Sequence, residues 1–372
     1  MRIPISRAKI LLPVLVLAVA FSACGGPSTG ASATVTVSNP PSPPGPPPPP
    51  PPGSQDFATR CAQPGVLKCV GFDAPSDIAG GVGDNSGITS GATTPSIDTA
   101  VKASGAGSVK FTLPPNAAAD TSGTYFTNFS ANLLVQFGEN QEFYVQWRQR
   151  FTPEMITTIY QSGGGYKQII IGTGDKPGCT SSSSASGLCY ASCTALETVV
   201  GNLFNRGLPQ MYNSCAGSTS HGPFATFDEP FSTAWNGGNF KLQNARPSPY
   251  CLYDNQGQSR FPPTGNCFGY FPDEWMTFQI KIKTGPRLTT GAQDEWINSK
   301  VTLWIARESQ ASQLVIDFPW NLTAGSPAEN QKYGKVWLLP YNTGRDSIPT
   351  YTQTYTWYDE LIISQNPIAD PQ

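Results

Sequence analysis

From residue 54 onward the chain repeatedly places apolar and polar side chains in strict alternation. In Glu142–Phe151, Phe143, Val145 and Trp147 fall on one side and Tyr144, Gln146, Arg148 and Arg150 on the other. In Thr277–Lys283, Phe278, Ile280 and Ile282 oppose Gln279, Lys281 and Lys283. A period of two with one wet face is the pattern of antiparallel sheets. The same reading predicts strands over Ser108–Leu113, Tyr166–Gly172, Lys300–Arg307, Leu314–Phe318, Lys335–Tyr341 and Tyr355–Ser364. Each is short, rich in β-branched and aromatic residues, and bounded by Gly, Pro, Asn or Ser. Helical periodicity is scarce: Ala195–Arg206 is the best short candidate and Pro153–Gln161 the next. Without strand–helix alternation a parallel sheet is excluded, so the expected class is all-β, a sandwich or jelly roll.

The first 53 residues follow a different rule. Arg2, Arg7 and Lys9 precede an apolar run, Ile10–Phe21, that ends in Phe21-Ser22-Ala23-Cys24. That is the layout of an export signal, too short for a stable membrane span. Its end resembles a bacterial lipobox, which implies a signal peptide over 1–23 and lipidation of Cys24, with ordinary signal cleavage as the rival. An acyl anchor holds because each buried methylene contributes roughly 0.8 kcal/mol. Gly25, where an aspartate commonly signals inner-membrane retention, implies an outer-membrane or cell-surface address in the cell envelope. Residues 24–53 contain eleven prolines between Pro40 and Pro52 and no charge. They read as a polyproline spacer, at about 3.1 Å per residue, to a domain over 54–372.

Composition narrows the partners. Charged residues make up only 13% of the chain and the net charge is −2, which argues against nucleic acid. Eleven per cent aromatic residues argue against disorder. Nine cysteines become eight once Cys24 is set aside, an even number suited to disulfides in an exported chain. Six of the eight lie in the Ser-, Gly- and Asn-rich stretch 179–267, read as loop insertions pinned by disulfides. Proximity favours Cys61 with Cys69 and Cys251 with Cys267; sequence leaves the full connectivity open. C-x-x-C spacing is absent and there is one histidine, so a zinc site is not expected.

Four segments, Glu142–Arg150, Tyr166–Ile171, Glu274–Lys283 and Trp357–Ser364, carry a resemblance. Their order is similar to that of the concanavalin A-like lectin/glucanase superfamily, in particular its polysaccharide-lyase-like members. The resemblance implies a jelly-roll sandwich of two antiparallel sheets and a polysaccharide partner, bound by a monomer. An exposed sheet face is expected to gather Tyr144, Gln146, Arg148, Gln168, Gln279, Lys281, Trp304, Lys335, Trp337 and Tyr341. Aromatic rings would form a platform for sugars, and the cations would meet carboxylates of an acidic polymer. A merely solvated face and a protein-contact face are the alternatives, and Trp304 and Trp337 could equally be core. The leading expectation is a surface-anchored protein that recognises an acidic extracellular polysaccharide; the alternative is a lyase, in which β-elimination would use Arg148 and Gln168 to neutralise the uronate carboxylate and Tyr341 as base or acid. Alginate-lyase-like members place a histidine two residues after the glutamine corresponding to Gln168; Ile170 stands there, so the single histidine, His221, would have to replace it from a loop.

The acidic residues offer less. The Glu-x-Asp-x-x-Glu run of the glucanase members is missing, and Asp273-Glu274 and Asp294-Glu295 are adjacent pairs whose side chains diverge along a strand. Asp228-Glu229 reads as a solvated turn. Asp73 and Asp359 would approach one another if the terminal strands pair, which makes them the candidates for a Ca2+ site. Gly163–Gly165 and Gly172-Thr-Gly174 lack the Gly-Lys-Ser/Thr of a phosphate loop and read as turns.

Overall fold

The structure is a computed structural model. It describes residues 55–371 apart from 82, 90, 92, 118–122, 159, 176–195, 204–209, 214–245, 248–265, 268–269, 290–293, 326–330 and 346–348. The leader with Cys24, the proline-rich segment, His221 and Asp228-Glu229 lie outside the described residues.

Along the chain the strands are β1 (Val66–Val70), β2 (Ser86–Thr89), β3 (Ser96–Asp98), β4 (Ser108–Leu113), β5 (Thr124–Asn128) and β6 (Glu142–Phe151). Next come β7 (Tyr160–Thr173), β8 (Glu197–Leu203), β9 (Gln210–Asn213), β10 (Arg246–Pro247), β11 (Asn266–Cys267) and β12 (Met276–Lys283). The last are β13 (Arg287–Thr289), β14 (Asp294–Ala306), β15 (Gln313–Gly325), β16 (Tyr333–Leu338), β17 (Asn342–Arg345) and β18 (Thr354–Ser364). Two five-residue helices, α1 (Phe57–Cys61) and α2 (Pro153–Thr157), complete the elements used below.

A nine-stranded sheet runs β13-β14-β12-β6-β18-β4-β3, with β1 added on β18 and β15 on β14. A seven-stranded sheet runs β2-β5-β16-β7-β8-β9, with β17 added on β7. Every ladder between named strands is antiparallel. From β4 to β7 the chain changes sheet at each step, and it does so again from β15 to β16 and from β17 to β18. The last strand then inserts between β4 and β6. This wrapping, with the closing strand central in its sheet, is that of a jelly roll, the expected class.

The layers meet through the residues that alternation assigned inward. Phe143, Val145, Trp147, Phe278, Ile280 and Ile282 come from one sheet, and Tyr125, Ile169, Ile171, Val336 and Leu338 from the other; all share one buried cluster. Trp147 stacks on Phe278 with ring centroids 5.2 Å apart, and Phe137 on Phe143 at 4.7 Å. Burying each such side chain contributes about 1.5–3 kcal/mol.

Several boundaries and one element differ from expectation. The segment expected as a helix over Ala195–Arg206 is strand β8 in its described part. Val199 packs on the outer cluster of its sheet and Val200 on the inner one. A strand buried on both faces shows a continuous apolar run, which periodicity cannot separate from a short helix. The helix expected over Pro153–Gln161 ends at Thr157, and β7 begins at Tyr160.

Cys61 and Cys69 form the disulfide that proximity favoured, joining α1 to β1. The pairings of the cysteines from Cys179 to Cys267 fall outside the described side chains. The bridge closes a short loop, so removing it with Cys61→Ala/Cys69→Ala should lower the unfolding free energy by about 2–3 kcal/mol. Urea titration of both forms measures this; an unchanged midpoint would mean that α1 is held without the bridge.

Candidate functional site

The residues expected on one open face occupy three separate environments. Tyr144, Gln146, Arg148, Gln279, Lys281 and Trp304 do point away from the core of the nine-stranded sheet, but the part of the outer face that holds them is largely covered. Helix α1 lies over it, through Arg60 and Phe57, and residues 368–370 cross it beside the helix. Gln146 donates to the Ala369 carbonyl (3.0 Å), and Gln279 exchanges two hydrogen bonds with the backbone of Ile368 (3.1 and 2.8 Å). Tyr144 and Trp304 pack with Ile362 and Ile368 against Phe57, Cys69 and Leu314. Lys281 pairs with Glu142 at 2.9 Å. Tyr144, Gln146, Gln279 and Trp304 thus hold the chain ends, Lys281 is spent on Glu142, and none of them forms the open face that was expected.

Arg148 belongs to the same closure. Its guanidinium lies 3.6 Å from Glu360, which also pairs with Arg60 of α1. All three residues are at most 5% exposed. Glu360 stands in a bulge of β18, where the register slips between Asp359 and Ile362 and the backbone takes φ +51°. Tyr358 and Leu361 on either side face the core, so the extra residue turns Asp359 and Glu360 outward in succession.

Gln168 lies between the sheets. Its amide donates to Gln149 (2.9 Å), its side-chain oxygen accepts from the Tyr270 hydroxyl, and its backbone carbonyl accepts from Tyr358 (2.8 Å). A register shift between Lys167 and Ile169 is the cause. Gln168 and Ile169 both turn inward there, and every side chain before the shift exchanges faces relative to simple alternation. Ile170, at the position where a histidine would be expected, lies in the outer apolar cluster with Phe126, Val199, Trp337 and Leu339. Gln168 is therefore buried with its amide engaged between the sheets, not displayed on an open face as expected.

Lys335, Trp337 and Tyr341 belong to the outer face of the seven-stranded sheet. Lys335 and Trp337 are buried. The Lys335 ammonium pairs with Asp175 and lies 3.8 Å from the centre of the Trp337 ring. Asp175 is fixed in turn by Asn128, which accepts from its backbone N–H (3.0 Å) and donates to its carbonyl (2.9 Å). Burial pulls Lys335 down to about 8, against the opposing pull of Asp175 and Glu197. Sequence reasoning missed Asp175, because it lies in an irregular stretch after β7 and reaches Lys335 only through the pairing of β7 with β16.

Tyr341 alone among the expected catalytic residues remains half-open in the described structure. It packs at the margin of the outer apolar cluster, with the Lys167 ammonium 4.8 Å from the centre of its ring. The Lys167 backbone N–H donates to the Tyr341 carbonyl at 2.9 Å. Along the same sheet end, β17 sets Arg345 opposite Tyr160, and the Arg345 guanidinium lies 5.1 Å from the centre of the Tyr351 ring. Lys167 is the site residue that sequence reasoning passed over: a bulge-corrected alternation of Tyr166-Lys167-Gln168 would have turned it outward. Arg148 is on the other sheet, and Arg148, Gln168 and Tyr341 do not converge.

Asp73 and Asp359 both serve the loop at 103–107. Asp359 accepts from the amides of Ala103 (2.8 Å) and Ser104 (3.3 Å), and Asp73 from those of Ala106 and Gly107. In each aspartate an oxygen is thus engaged by amide hydrogens of this loop, whereas calcium takes six to eight oxygen ligands. Among the described residues no cluster of three acidic, cysteine or histidine side chains forms a metal cage.

No protein-family model and no curated protein matches this chain. Among solved structures, an alginate lyase from Aplysia kurodai is similar over 72% of this chain and 86% of its own, with 10% identity and a TM-score of 0.40. The alginate lyase Aly36B is similar over 83% and 100%, with 12% identity and a TM-score of 0.37. A binding domain of botulinum neurotoxin serotype D/C is similar over 82% and 50%, with 8% identity and a TM-score of 0.34. Likenesses this distant assign neither an activity nor site residues.

Two outcomes follow from the buried charges. Glu360→Gln leaves Arg60 and Arg148 under cover without their counter-charge, so urea unfolding should show a loss of roughly 3–5 kcal/mol; a loss below about 1 kcal/mol would place the pair effectively in solvent. For Lys335, the folded value near 8 lies below the ordinary 10.5. The folded state thus binds the proton less tightly, and this group's contribution to stability rises as pH climbs from about 8 to 10.5. Lys335→Met should remove that rise when the two proteins are unfolded in urea across the window; parallel pH curves would contradict it.

Proposed function

We propose that the protein acts on an acidic polysaccharide seated at the Tyr341 end of the seven-stranded sheet and cleaves it by β-elimination. The observation that carries this reading is the half-open Lys167–Tyr341 pair, with Arg345 and Tyr351 along the same sheet end. A polymer of uronic acids presents a carboxylate on each ring, and cations beside aromatic rings match both its charge and its apolar sugar faces. Elimination requires three services: neutralisation of the carboxylate, removal of the C5 proton, and protonation of the departing O4 oxygen. Lys167 supplies the first by charge. Tyr341 does both remaining tasks in turn: as phenolate it takes the C5 proton, and the phenol so formed gives that proton to O4 as the C4–O4 bond breaks and the C4=C5 double bond forms. Arg345 positions a neighbouring ring through its carboxylate. Neither a metal nor a bound cofactor enters these steps. Lipidation at Cys24 and the proline-rich spacer would place this activity at the cell envelope.

The test is a panel of uronic-acid polymers followed by the ultraviolet absorbance of the unsaturated product. Tyr341→Phe should lower kcat at least about 100-fold, the scale of a lost general acid–base group, with retention on immobilised polymer preserved. Lys167→Gln should raise KM and lower kcat together. Retention on a polymer with no absorbance change in any case would leave a binding protein and remove the lyase. Neither retention nor turnover would remove the polysaccharide reading altogether.

A further inference from the structure

One margin of the nine-stranded sheet's outer face lies beyond the part that the chain ends cover. There β3, β4, β18 and β6 run side by side, and ladder pairing sets Ser96, Lys110, Trp357 and Arg150 in one row across the four strands. At a strand spacing of about 4.8 Å the row is roughly 14 Å long. Tyr355 lies in the next row, opposite Thr112. Alternation along β18 turns Tyr355 and Trp357 to the same side, away from Tyr358 and the core. Among the described residues, the cluster packed beneath α1 and the C-terminal tail includes neither of them. Lys110, Arg150 and Tyr355 are half-buried, and Gln353 and Asp273 are exposed.

These side chains are set in place without a ligand. The Trp357 indole N–H donates to one Asp98 oxygen at 3.0 Å, and the other accepts from the amides of Ala100 (2.9 Å) and Val101 (3.4 Å). The rings of Tyr355 and Trp357 stand 5.8 Å apart. The Lys110 ammonium lies 4.3 Å from the centre of the first and 5.5 Å from that of the second. The Tyr355 hydroxyl accepts from the Gln353 amide. The charges match one for one: Lys110 lies 3.4 Å from Asp98, and Arg150 lies 3.5 Å from Asp273. Ion pairs between partly exposed groups contribute little to stability, and each leaves N–H donors beside a carboxylate acceptor. Two neighbouring hydroxyls, each both donor and acceptor, match such a pair. The ring of Tyr355 supplies apolar surface for the C–H face of a pyranose, with a polar hydroxyl at its tip.

We propose that this margin binds an uncharged, extended oligosaccharide. One pyranose rests on Tyr355, and hydroxyls along the chain meet the Lys110–Asp98 and Arg150–Asp273 pairs. A polyanion gains little from cations that are already matched, and a protein partner needs a larger apolar core than two rings. The site lies on the other sheet from Tyr341, and it stands or falls without the proposed cleavage.

Calorimetric titration of the full chain with cellohexaose, mannohexaose and xylohexaose tests it, with hexagalacturonate as a charged competitor. Saturable binding of at least one neutral hexamer is expected, and an excess of hexagalacturonate should not displace it. Tyr355→Ala should weaken that binding about tenfold, the scale of one lost aromatic contact. Tyr355→Phe keeps the ring and should retain most of the affinity, and thermal melts confirm that both variants are folded. No saturable binding of any neutral hexamer, displacement by hexagalacturonate, or full affinity in Tyr355→Ala would each overturn the proposal.

Discussion

Glu360 holds two buried guanidinium groups at once, Arg60 from the first helix and Arg148 from the centre of the nine-stranded sheet. A carboxylate and two cations without ready access to water are stable together and costly apart. Their meeting requires α1 to lie on the sheet, β18 to bulge at Asp359–Glu360, and β6 to present Arg148 at that height. The ion-pair knot therefore couples the beginning of the domain to its last strand. The C-terminal tail then seals the same face through Gln146, Gln279 and the Ser312–Asp370 contact. Asp359, beside the knot, is pushed up to about 7 by burial, with the amides of Ala103 and Ser104 pulling against that rise.

Covering much of one outer face limits where a ligand could reach a sheet. A jelly roll has two outer faces. In this protein the termini cover much of the larger one, together with most of the polar side chains that alternation had turned outward. On the other sheet Lys335 is neutralised by Asp175, and among the described residues the Lys167–Tyr341 and Arg345–Tyr351 margin sets half-buried cations beside rings; the proposed polymer would lie there. The two ends of that sheet are chemically different. One is a basic-aromatic margin, and the other a half-open cavity lined by Glu139, Gln141, Arg287, Trp296, Gln331 and Lys332.

The framework was legible because strand alternation is a local property. Glu142–Phe151 and Ser108–Leu113 have the predicted bounds, and Phe143, Val145, Trp147, Phe278, Ile280 and Ile282 point inward as their spacing requires. The site was much less legible, for four physical reasons. Alternation tells which side of a strand a residue occupies, not whether that side is later covered, so Gln146, Arg148 and Gln279 read as wet until the termini lie over them. A bulge reverses the phase without any sequence mark, so Gln168 exchanged places with Lys167. Alternation also cannot say which of two sheets a strand joins, so residues of both outer faces were pooled into a single surface. The two aspartates expected at a metal illustrate a fourth difficulty: backbone amides compete for carboxylates, and a sequence does not show which loop will pass by.

The central claim is that the termini commit much of the outer face of the nine-stranded sheet to stability and leave the Tyr341 end of the other sheet to function. Carbene footprinting of the full chain with and without a uronic-acid oligosaccharide reads both faces in one experiment. The account predicts that bound oligosaccharide shields Lys167, Tyr341 and Tyr351, while Tyr144, Arg148 and Trp304 stay unlabelled in both states. Labelling of Arg148 or Trp304 in the free protein that disappears on binding would place the sugar on the face assigned to the chain ends, and would contradict it.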